Sequence, residues 1–261
     1  MIQQPPTTSS RFSQEQQKRR RGLKRRLILA LFVALIVLLS FTPLGFIHLI
    51  FLKATTIHIP VLLGAFLLGP AAGLVLGASF GLCSLLNNSF YPGLLSFCFS
   101  PFIPLPGSDR GSLYALVICF LPRLILGLGA GLVGGRLNIQ SGLLTTENRA
   151  GFFAKLRTKV PLSVLLSAAL LTLLHSVLTL GLIYLGLAPA LAQSRNLDPS
   201  AVLPWLLGLV AANGLPEALI ATLLSALLYP VVRSAARRSA LLPEAVVGCT
   251  HPAQARPKDV Q

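Results

Sequence analysis

Arg123 and Glu217 each lie deep inside an apolar run, and each directly follows a proline. A lone charge at the centre of a bilayer costs several kcal/mol, so such side chains turn inward, toward a partner or a wet cavity. A proline inside a helix frees the carbonyl four residues earlier, here those of Ile118 and Ala212. In hydrocarbon a freed carbonyl needs a donor or a polar cavity. Kink plus charge on two segments therefore points to one polar pocket, read either as a ligand site or as a structural ion pair locking two kinked helices. Asn213 stands four residues before Glu217, on the same helical face, where it can hydrogen-bond a ligand or orient the carboxylate. His175 is a lone histidine in an apolar segment. A helix–helix hydrogen bond, a proton relay and a ligand contact are all open to it. His48 and His58 flank the first long connection, and Asn87 and Asn88 end one segment and begin the longest loop.

The chain around these residues is 54% hydrophobic and 11% charged, against roughly 25% charged for an ordinary soluble domain. A soluble fold of that composition would expose large apolar patches. The expected fold class is an all-α integral membrane bundle of six transmembrane helices, at about 23–41, 57–68, 71–86, 112–134, 161–187 and 203–233. The second and third segments meet at Gly69-Pro70, a turn signal. The second, at about 1.5 Å per residue, is too short for a hydrocarbon core of about 30 Å. It is either a buried short helix or begins earlier, near Leu52. Residues 87–111 hold prolines and glycines with several aromatics, which predicts an ordered loop packed over something.

The net charge of +15 is unevenly placed. Of 22 Lys and Arg residues, 18 fall before residue 27, within 135–160 or after 232, and only Lys53, Arg110 and Arg195 fall in the alternate loops. This is the positive-inside asymmetry. It places both termini and the basic 135–160 loop in the cytoplasm of a multi-pass plasma-membrane protein. It also accounts for the charge without nucleic acid, since no basic stretch carries interleaved aromatics. Residues 1–22 and 236–261 are expected to be disordered cytoplasmic tails around a membrane domain at 23–235.

Small residues recur every four positions: Gly73, Gly77 and Gly81, then Gly127, Gly131 and Gly135, and the pair Ala30 and Ala34. The glycines predict close helix packing within the chain, while the alanines suit either packing or docking of another membrane protein. Cys83, Cys98, Cys119 and Cys249 show no disulfide or metal spacing. Gly77-Ala78-Ser79-Phe80-Gly81 matches a nucleophile-elbow pattern but lies inside an apolar helix, where that motif's strand is missing. No phosphate-binding Gly-x-x-x-x-Gly-Lys-Ser/Thr loop is present, so any ATP must be used by another subunit.

Three stretches carry a family resemblance. Thr55-Thr56-Ile57-His58-Ile59-Pro60, running on to Leu68-Gly69-Pro70-Ala71-Ala72-Gly73, is the first. Ser96-Phe97-Cys98-Phe99-Ser100-Pro101-Phe102-Ile103-Pro104 and Leu121-Pro122-Arg123-Leu124-Ile125-Leu126-Gly127 follow in order. Over roughly 23–235 the chain resembles the substrate-binding S components of energy-coupling factor (ECF) vitamin transporters. The resemblance implies a six-helix binding subunit, not an enzyme, that holds a small water-soluble vitamin beneath its outer loops. It implies partnership with a membrane scaffold subunit and two ATPase subunits, and no cofactor. The branch resembled is associated with pantothenate, with folate and riboflavin carriers as relatives. Arg123, Glu217, Asn213, His175, Asn87 and Ser100 form the expected substrate-binding set. The family's Ala-x-x-x-Ala contact matches Ala30 and Ala34 and turns that pair toward docking. The rival readings are a standalone proton-coupled carrier using Glu217 or His175, and an intramembrane serine protease using Ser79 with His175.

Overall fold

A computed structural model describes residues 8–42, 46–49, 52–136 and 162–241. Nearly all of the basic loop expected at 135–160, and the chain beyond Leu241 with Cys249, lie outside these residues. In chain order the elements are α1 (Thr8–Ser40), β1 (Phe46–Leu49), β2 (Leu52–Thr55), α2 (His58–Leu68), α3 (Pro70–Phe90), α4 (Tyr114–Arg136), α5 (Leu162–Arg195), α6 (Val202–Leu209) and α7 (Leu215–Leu241). A π turn, Val210–Gly214, joins α6 to α7, so the last two form one continuous rod. The described residues thus make a bundle of six helical rods. Among them, α3, α4, α5 and the rod Pro199–Val231 are long and apolar enough to cross a membrane.

α1 starts at Thr8, inside the stretch expected to be disordered. Gln, Glu, Lys and Arg are good helix formers, and the apolar run behind them propagates the same helix. α7 likewise continues to Leu241, past the predicted end near 233. α5 runs to Arg195, also beyond its predicted end, and stops at Asn196 in the left-handed region, with Leu197 N–H reaching back to Ala192 O.

Of the two readings of the second segment, the buried short helix holds. All 11 residues of α2 are buried, in a packing surrounded by α1, α3, α4 and α7. At about 16 Å it need not span, because other helices cover it. Gly69 supplies a positive φ of 89° for the turn into α3, and Arg25 of α1 donates to the terminal Leu68 carbonyl. The residues before α2 form an antiparallel hairpin that pairs Phe46 with Thr55 and His48 with Lys53. Its open edges cannot face lipid hydrocarbon, which places it at the end of the bundle.

The glycine ladders do what their spacing predicts except at Gly135, which is exposed while Gly134 meets the Phe66 backbone of α2. A Cβ added at Gly73 would collide with the Gly127 carbonyl, one at Gly77 with the Arg123 carbonyl, and one at Gly131 with Pro70. The backbones of α3 and α4 therefore touch over most of their length. Two apolar clusters result. One centres on α2 and includes Phe66, Leu76, Phe80 and Leu126. The other, under the 91–113 loop, includes Phe97, Ile118, Ile183 and Leu206. In that loop, burial pushes the Cys98 thiol up to about 12, so it stays protonated and unreactive while folded.

Buried Cys83, Cys98 and Cys119 allow unfolding to be followed with a thiol-reactive dye. Gly77→Leu should lower the midpoint, since overpacking costs about 1–3 kcal/mol. Gly181→Ala, with nothing within 4 Å of the new methyl, should not. Equal midpoints would contradict the α3–α4 contact.

Candidate functional site

Pro122 cannot donate to Ile118, as the sequence predicts, and the next residue makes good the loss. Arg123 Nη1 donates to Ile118 O at 2.9 Å and to Cys119 O at 2.8 Å. Its Nη2 donates to Ser84 Oγ on α3 at 3.2 Å. The guanidinium also lies 5.1 Å from the Phe80 ring centroid and 5.3 Å from that of Phe99, within cation–π range. Arg123 is only 6% exposed, and its Nε is buried without a hydrogen-bond partner. Phe80 belongs to the first apolar cluster, and Phe99 packs against the second. The charge therefore sits at the seam between the two.

The second proline is handled differently. Pro216 follows the π turn, in which each carbonyl bonds one residue further along. The turn ends two residues before Pro216, whose missing N–H would have served the Ala212 carbonyl inside it. π turns of this kind cluster at functional sites, and this one holds Asn213, whose Oδ1 is buried with no partner. Glu217, 9% exposed, lies in the first turn of α7.

His175 comes from α5. Its ring hydrogen-bonds the Pro122 carbonyl. The ring centroid lies 6.0 Å from that of Phe80. The helix–helix hydrogen bond open to it in the sequence is thus made, while Nδ1 is buried with no partner.

Four of the expected site residues, Arg123, Glu217, His175 and Asn213, lie on α4, α5 and the α6–α7 rod, of which α5 packs against both of the others. Asn87 and Ser100 do other work. Asn87 Nδ2 donates to Ser40 O at 2.9 Å, tying α3 to the end of α1. Ser100 Oγ is fully buried, 2.7 Å from Ser89 Oγ, and accepts from Phe102 N–H. With the Ser96–Asn88 hydrogen bond, it stitches the 91–113 loop to the end of α3. Phe80 and Ser84 also contact the Arg123 guanidinium and were missed. Their four-residue spacing, three residues on from Gly77 and Gly81, was the signal that they share the stripe facing α4. Ser79 Oγ donates to Val75 O of its own helix and makes no bond to His175, so the protease pairing is not formed. Among the described residues no group of three or more His, Cys, Asp or Glu could hold a metal.

The sequence profile of the ECF transporter, substrate-specific component family matches residues 24–232. This chain belongs to that family. The pantothenic acid transporter PanT of Lactococcus lactis subsp. cremoris (strain MG1363) is 32% identical over 185 residues, covering 65% of this chain and 94% of that protein. As an ECF substrate-specific component, the chain is a multi-pass membrane transport protein. Its enclosed Arg123 is a fixed cation whose Nε has no hydrogen-bond partner.

Arg123→Ala should leave the Ile118 carbonyl buried without a donor, a loss of about 1–3 kcal/mol. In a Pro122→Ala background, where the backbone N–H restored at that position serves the same carbonyl, the change should cost less. Dye-monitored unfolding of all four proteins gives the coupling. Equal losses in both backgrounds would contradict the capping role.

Proposed function

We propose that this chain is the substrate-binding subunit of an ECF transporter for pantothenate. The observation that carries the reading is the buried, rigidly held Arg123 in a chain related to a pantothenic acid transporter. Pantothenate is a carboxylate at neutral pH, and a guanidinium is the side chain best suited to hold one. The substrate lies at the seam between the apolar clusters. Phe80 and Phe99 wall it, Arg123 matches its charge, and Asn213 and His175 offer buried polar atoms to its hydroxyl and amide groups. The 91–113 loop covers it from outside. All six rods lie in the plasma membrane with both termini in the cytoplasm, which the uneven placement of Lys and Arg supports.

Transport requires a scaffold subunit and two ATPase subunits in this reading. Ala30 and Ala34 lie on one face of α1 and are exposed, among exposed Leu27, Leu31 and Leu38. Small residues on an uncovered helix face let a second backbone approach.

Binding is measurable through Trp205, the sole tryptophan, whose ring lies 5.3 Å from the Arg195 guanidinium carbon. Purified protein should show a saturable fluorescence change with pantothenate, and none with riboflavin or folate. No response to pantothenate in fluorescence or calorimetry would overturn the assignment. Ala30→Leu with Ala34→Leu should preserve binding and abolish uptake in cells. Unchanged uptake would overturn the docking role.

A further inference from the structure

The connection between α3 and α4 presents an apolar surface at one end of the bundle. Phe90, Tyr91, Leu94, Phe102 and Leu113 are all exposed, the least of them at 66%. Single exposed apolar residues are ordinary, but five along one ordered connection form a patch that calls for a partner. No charged side chain occurs from Asn87 to Ser108. Charge returns only at the tip, with exposed Asp109 and Arg110. The tip is a turn of its own, closed by Leu105 N–H on Arg110 O at 3.0 Å and Ser108 N–H on Leu105 O at 2.9 Å. It rests on the end of α5, where a Cβ at Gly107 would strike the Gln193 side chain.

Hydrogen bonds fix the depth of this patch. Ser96 Oγ donates to Asn88 Oδ1 at 2.8 Å and accepts from Gly93 N–H at 2.8 Å, beside Leu94. Ser100 Oγ lies 2.7 Å from Ser89 Oγ and accepts from Phe102 N–H at 3.2 Å. Leu94 and Phe102 are thus tied to the last turn of α3. α3 has 21 residues, about 32 Å at 1.5 Å per residue, which matches a hydrocarbon core of about 30 Å. Its last turn therefore stands at a bilayer edge. The flanking helices carry exposed apolar side chains up to the same level. On α3, Val75, Leu82 and Phe90 share one side, and Leu113, just before α4, is followed at four-residue steps by Val117 and Leu121. The patch is continuous with both stripes.

We propose that the 91–113 loop, with Phe90, is an interfacial membrane anchor. Phe90, Tyr91, Leu94, Phe102 and Leu113 seat in the headgroup and upper acyl region of the lipid leaflet at this end of the bundle, while the Asp109–Arg110 tip stays in water. The amphipathic ring of Tyr91 suits the headgroup level, and Phe and Leu suit the boundary with the acyl chains. Lipid is the occupant because it already faces the stripes on both flanking helices, and a second protein would have to displace it. The stretch between Leu94 and Phe102 also carries Phe99, 5.3 Å from the Arg123 guanidinium carbon. The lipid contact therefore steadies a segment that reaches Arg123, whichever substrate the protein takes.

The test is fluorescence of the full chain in phospholipid vesicles, with Trp205→Phe removing the native signal. Leu94→Trp and Phe102→Trp each place a probe in the patch, and Asp109→Trp places one at the tip. Both patch probes should emit to the blue of tryptophan in water. Phospholipid brominated near the headgroup end of its acyl chains should quench them about twofold, as expected about 5–10 Å into the headgroup and acyl boundary. The tip probe should emit as in water and lose no intensity to the brominated lipid. Water-like, unquenched emission from the patch probes would overturn the proposal. Blue emission that brominated lipid leaves unquenched would show the patch covered by protein, such as a second copy of this chain, and would overturn it as well. The two patch probes are read separately, so a variant that fails to fold leaves the other to decide.

Discussion

Hydrocarbon supplies no hydrogen bonds, so every polar group at bilayer depth must find its partner within the protein. At Pro122-Arg123 two such demands meet. The proline leaves a carbonyl without a donor, and the guanidinium needs acceptors in a place that has none to spare. Each answers the other through the two Nη1 hydrogen bonds. The arrangement needs no ion pair to hold the arginine in place. It fixes the guanidinium against its own helix, aims Nη2 at Ser84 on α3, and leaves one nitrogen uncommitted. The positions of α3 and α5 matter because they frame this one group.

The glycine contacts serve the same end. Only glycine at position 77 lets the α3 backbone touch the Arg123 carbonyl, and that contact brings Phe80 and Ser84 within reach of the guanidinium. The polar seam then lies between two apolar clusters, with α2 packed wholly inside the first. α2 is too short to span, yet it is stable there because in lipid its worth is packing rather than escape from water. α5 adds His175 through the carbonyl of the same Pro122. One dipeptide thus anchors side chains from three helices.

Much of this was legible in the sequence. The Pro122-Arg123 dipeptide marked the seam, the Gly69-Pro70 turn marked the α2–α3 junction, and the four-residue glycine spacing marked the α3–α4 face. The rest was hidden for physical reasons. Nothing in the residues told whether Arg123 would reach across to Glu217 or back to Ile118, because both satisfy the same need. Asn87 and Ser100 belong to a polar stretch that suits a binding loop or a self-bonded one equally. The π turn is a change of register, invisible to residue type, and the helical start of α1 at Thr8 was masked by a composition common to tails and exposed helices.

The central claim is that the seam around Arg123 is where the substrate sits. Experimental density for the protein saturated with pantothenate tests it most directly. The account predicts new density bounded by Phe80, Phe99, His175 and Asn213, with its carboxylate at Arg123. Density seated only on the outer face of the 91–113 loop, with the groups around Arg123 unchanged, would contradict it.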